Sequence, residues 1–165
     1  MRIIEIKAFQ FEELDSQTQE KVIESNRTIN VNTDFWWQDE LDNYKTELKI
    51  IVNQFDIYRR TINITIEDSF ESAQKIVNFF GKESSIVYGA KTFIRDIKFI
   101  EEKYKDDWYK LEEEKEYLEE EFRREISEEI LSKLTSQYEY LISDDAIKET
   151  ILANKYEFQE DGEML

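Results

Sequence analysis

The chain has 165 residues and carries 39 Asp and Glu against 22 Lys and Arg, a formal net charge of -17. A surface of that sign repels polyanions, which argues against nucleic acid and anionic lipid as direct partners and for a basic partner or for no charged partner. Hydrophobic residues at 40% and aromatics at 14% supply material for a real core, which disordered acidic chains lack.

There is no Cys and no His. That removes disulfides, thiolate metal sites, the commonest general base and the commonest metal ligand. No cofactor and no metal site are expected. Pro is absent, and glycine occurs only at Gly81, Gly89 and Gly162; so few chain breakers predict long elements, mainly helices. The charged opening Met1-Arg2-Ile3-Ile4-Glu5-Ile6-Lys7 lacks the apolar run of a signal peptide. No apolar stretch nears the ~20 residues of a membrane span. The expected location is the cytoplasm, with no membrane partner.

Residues 2–11 alternate and predict a strand. Ser16 with Gln19 forms a capping-box pattern ahead of a helix over 17–29. Thr33 or Asp34 is the next N-cap, and Phe35, Trp37, Leu41, Tyr44, Leu48, Ile51 and Val52 space a helix over 35–53. Phe55, Ile57, Ile62, Ile64 and Ile66 alternate as a strand near 55–66. Asp68 or Ser69 then caps a short helix that Gly81 ends.

From Ser84 to Ile142 the apolar residues step by three, four or seven, from Phe93 through Trp108 and Phe122 to Leu141. One helix of that span would be on the order of 85 Å long. The expectation is an antiparallel hairpin bent at Glu119-Glu120-Glu121, with a two-chain coiled coil, hence a homodimer, as the alternative. Ser143-Asp144-Asp145 caps a last short helix, and Tyr156-Glu157-Phe158 returns as a strand beside the first. The fold class is α+β, mainly helical, with a small antiparallel sheet and a long helical hairpin. Its parts are an α/β portion over 1–83, the hairpin and short helix over 84–154, and a C-terminal strand over 155–165, all in one unit.

Three features bear on function. The helical stretch from Glu101 to Glu129 is crowded with carboxylates, among them Asp106, Asp107, Glu112, Glu113, Glu116, Glu119, Glu120 and Glu128. Such a surface can imitate a phosphate backbone; the plainer account is a solvated face with intrahelical Glu–Lys pairs. Trp36 and Trp37 are neighbours on a helix and point about 100° apart, so Trp36 is either exposed as an interface anchor or packed on a second element. Tyr58-Arg59-Arg60 could clasp an anion or pair with the protein's own acids. No EF-hand, Gly-rich phosphate loop or serine elbow occurs, and no enzyme is expected.

The segment running from Phe11-Glu12-Glu13-Leu14 to Glu24-Ser25-Asn26-Arg27, then Ile29-Asn30-Val31 and Asp34-Phe35-Trp36-Trp37, resembles small acidic proteins encoded by bacteriophages and prophages. The closing Tyr156-Glu157-Phe158-Gln159-Glu160-Asp161-Gly162 is similar to theirs as well. In the middle the chain departs, with Ile57-Tyr58-Arg59-Arg60-Thr61-Ile62-Asn63-Ile64 where those proteins carry a Gly-, Ser- and aromatic-rich strand motif. The resemblance carries over no catalytic residues. It implies a phage-encoded inhibitor of host defence, of the anti-CRISPR kind, in a bacterial cytoplasm. Its partner would be a host protein with a basic surface, such as a CRISPR effector nuclease, met by the eight acids above and Trp36. The alternative is a dimeric structural or assembly adaptor of phage origin.

Overall fold

The computed structural model describes residues 7–32, 34–80 and 84–165, without the side chain of Asp34. In chain order the elements are β1 (Phe9–Gln10), α1 (Ser16–Ser25), α2 (Gln38–Leu48), β2 (Ile50–Asp56), β3 (Thr61–Ile66), α3 (Ser69–Phe79), α4 (Ser85–Lys103), α5 (Trp108–Leu141), α6 (Asp144–Asn154) and β4 (Glu157–Phe158). The class is α+β and mainly helical, as the hydrophobic spacing predicts.

Most of the expected N-terminal strand, together with Thr33 and the Gly81 helix stop, lies outside the described residues. Packing groups the chain into two units. One unit is Met1–Trp36 with Ser136–Leu165; the other is Trp37–Thr135.

In the first unit β1 pairs antiparallel with β4, Phe9 opposite Phe158, so the closing strand does return beside the opening one. Phe11, Leu14, Val22, Ile147, Ile151 and Phe158 form its core. The cap of α1 is Asp15, one residue before the predicted Ser16: its carboxylate accepts from Thr18 N at 3.0 Å. Ser143 caps α6 by accepting from Ala146 N at 3.3 Å. Asp144 instead pairs with Arg27.

The predicted helix over 35–53 is overturned. Asp34–Trp37 is a 3-10 turn, α2 ends at Leu48, and β2 follows at once. Lys49 makes the break, taking φ 58° in the left-handed region, while its ammonium meets Glu71 at 2.6 Å. The predicted single strand over 55–66 is also corrected. It spans the end of β2, a turn over 57–60 with Arg60 at φ 53°, and β3, the two strands pairing as a hairpin. Apolar residues alternate on both sides of the turn, at Phe55 and Ile57 and again at Ile62, Ile64 and Ile66, but the phase shifts across Tyr58–Thr61, where the turn lies. Arg59 faces the protein's own Asp56 at 3.7 Å. Among the described residues the strands form two separate sheets, β1 with β4 and β2 with β3.

The expected helical hairpin is present as α4 and α5. Phe93 stacks on Phe122 at 4.4 Å, Ser85 Oγ donates to Glu129 at 2.9 Å, and Lys115 meets Glu101 at 3.1 Å. Those pairs run in opposite chain directions, so the helices are antiparallel. The bend lies at residues 104–107, not at Glu119–Glu121, which sit inside α5.

Candidate functional site

The distal half of the hairpin holds most of the predicted acids. Asp107 ends the bend as the cap of α5, its carboxylate accepting from Lys110 N at 3.2 Å. Capping accounts for that residue without a partner. Asp106 is exposed in the same bend.

Along α5 the residues facing α4 are Lys115, Phe122, Glu125 and Glu129. At 100° per residue, Glu113, Glu116 and Glu120 fall on the opposite side, and Glu112 and Glu119 flank them. Glu112, Glu113, Glu116 and Glu120 are exposed and Glu119 is half-buried. Among the described residues none of these five takes part in an ion pair, whereas Glu101, Glu102 and Glu121 do. Like charges spaced i,i+3 and i,i+4 oppose helix formation by about 0.2–0.5 kcal/mol a pair. The five glutamates make several such pairs; Lys110, Lys115, Arg123 and Arg124 stand three or four residues from Glu112, Glu113, Glu119 or Glu120, but Glu116 has only glutamates at those spacings.

Glu128 stands apart. It lines a cleft of about 440 Å³ between α4 and α5, with Ser85, Tyr88, Gly89, Glu125 and Ser132. Trp36 belongs to the other unit. Its ring lies 5.6 Å from that of Tyr138, and its carbonyl accepts from Gln137 Nε2 at 2.9 Å. The packed alternative for Trp36 therefore holds. The structure gathers five of the nine predicted residues on one face and leaves Asp106, Asp107, Glu128 and Trp36 off it.

The exposed tryptophan is Trp108, which the helical spacing placed in the core. It is 76% exposed and its neighbour Tyr109 is 69% exposed. Their rings lie 6.0 Å apart, edge to face. They open α5, and Glu112 and Glu113 follow one turn later on the same face. At the same end of the hairpin the Lys103 ammonium lies 4.6 Å from the Tyr104 ring and 5.8 Å from that of Phe99. Tyr104, and then Glu114, hold its pKa above the ordinary lysine value. The signal that could have found Trp108 is the preceding Asp107, an N-cap that puts the next residue on the first, least covered turn.

Among the described residues no group of three or more Asp and Glu is arranged to hold a metal ion. No helix there is long and apolar enough to cross a membrane. No protein-family model, curated protein or solved structure matches the chain.

Proposed function

We propose that the chain inhibits a host-defence nuclease, in the manner of an anti-CRISPR protein, by laying the glutamate face of α5 on that enzyme's basic nucleic-acid-binding surface. The observation that carries this reading is the row Glu113, Glu116 and Glu120 opposite α4, flanked by Glu112 and Glu119, all five without ion pairs among the described residues. Five charges over about 12 Å of helix axis give a spacing near the ~3.4 Å per phosphate of one nucleic-acid strand. Effectors of the Cas9 type hold both their heteroduplex and the displaced single strand on positively charged surfaces, which are of the complementary sign. The adaptor reading needed the long helices to pair with a second chain; here α4 supplies the partner of α5, which favours the inhibitor.

The test is binding to a Cas9-type effector across a salt series. Affinity should fall steeply as ionic strength rises, and Glu112→Gln/Glu116→Gln/Glu120→Gln should flatten that slope. An affinity that does not move with salt, or a variant that binds as well as the parent, removes the mimic reading.

A further inference from the structure

We infer that the ligand imitated is a single strand with unstacked bases, not a duplex, so that the partner surface is a basic single-strand groove with flat apolar platforms. This rests on the reading above and adds a second kind of group to it. Trp108 and Tyr109 stand in water at 76% and 69% exposure, at the head of the glutamate row. Such rings are not placed there by packing, and exposed aromatic surface of this kind marks contact sites.

A duplex keeps its bases stacked inside and offers proteins only their edges. Single-strand-binding grooves combine a cationic track for the backbone with aromatic or guanidinium planes on which bases stack. A row of carboxylates that begins with two π faces fits that second surface. The hairpin end already holds the Lys103 ammonium over the rings of Phe99 and Tyr104. The partner's Lys and Arg side chains would meet Trp108 and Tyr109 in the same way.

The test is competition against two probes. One is an OB-fold single-strand-binding protein holding a fluorescent oligothymidylate. The other is a basic minor-groove protein holding a fluorescent duplex of equal length. The chain should release the oligothymidylate at concentrations at least ten-fold lower than the duplex. Trp108→Ala/Tyr109→Ala should weaken that release roughly ten-fold or more, by the same factor at low and high salt. Trp108→Phe should retain most of the activity, which separates a stacking role from misfolding. Glu116→Gln/Glu120→Gln should change the salt slope instead.

Equal or preferred release of the duplex overturns the single-strand inference and leaves the acidic mimic standing. Full potency of the Ala variant does the same. Release of neither probe also overturns the single-strand inference, and the salt series on the Cas9-type effector then decides the acidic mimic by itself. Sedimentation showing a dimer that the Ala variant dissolves would make the aromatic pair a seam between copies, and would also overturn it.

Discussion

The rings of Phe93 and Phe122 stack 4.4 Å apart and within 16° of parallel, one from each arm of the hairpin. Both are buried, and Phe122 is followed on the same seam by Ile126, Ile130 and Leu134. Truncating either ring leaves a cavity that two stiff helices cannot collapse into. Phe122→Ala should cost about 3–5 kcal/mol, read as a lower urea midpoint with little change in slope. Phe122→Leu should cost less, because most of the volume is kept.

That pair also marks how far the sequence could be read. Phe93, Ile97 and Ile100, and then Phe122, Ile126, Ile130 and Leu134, repeat at three and four residues, so the two arms were legible. The bend was not. Residues 104–107 contain neither Gly nor Pro, and three further breaks are made by Lys49, Arg60 and Lys155 at positive φ. A chain that turns on lysine and arginine hides its boundaries from rules built on glycine. The glutamates could be counted but not sorted, because sorting needs to know which side α4 covers. Trp108 shows the same limit: it keeps the period of the core seam, but α4 ends at Lys103, and a period cannot say where its packing partner stops.

Tyr44 sits in the core of the second unit at 2% exposure; among the described residues its hydroxyl makes no hydrogen bond of ordinary geometry, although the Glu40 carboxylate is close enough to act on it. Burial pushes its pKa up, and the Glu40 and Glu129 carboxylates add to the shift. A buried hydroxyl without a partner costs about 1–3 kcal/mol, so Tyr44→Phe should leave stability unchanged or raise it. The sign of the pH effect follows from the raised value. The neutral phenol is favoured in the fold, so its contribution is fully present below the ordinary 10.0 and is lost as the pH climbs above it. Melting temperatures from pH 8 to 11 should fall more steeply for the parent than for Tyr44→Phe.

Gly89 lies inside α4, where glycine costs about 1 kcal/mol relative to alanine. A Cβ there would come within 2.7 Å of Glu125 Oε2. That atom is the free end of an exposed, flexible side chain and can swing aside. Gly89→Ala should therefore raise the melting temperature by roughly 2–4 °C. A drop would mean that the Glu125 carboxylate is held over the α4 backbone more firmly than its exposure implies.

The glutamate face makes the opposite demand on the same helix. Glu116 has Glu112 and Glu120 four residues away on either side, with Glu113 and Glu119 three away. Each such like-charge neighbour works against α5 by about 0.2–0.5 kcal/mol at low salt. Glu116→Gln should thus stabilise the protein by about 1 kcal/mol in dilute buffer, with the gain shrinking toward zero at 1 M salt as the charges are screened. Paired melts at the two salt concentrations would read it directly. A gain in stability together with a loss of binding would show that the row is kept against the interest of the fold, the trade expected where a surface serves a partner. A variant that is neither more stable at low salt nor weaker in binding would make the row an ordinary solvated face.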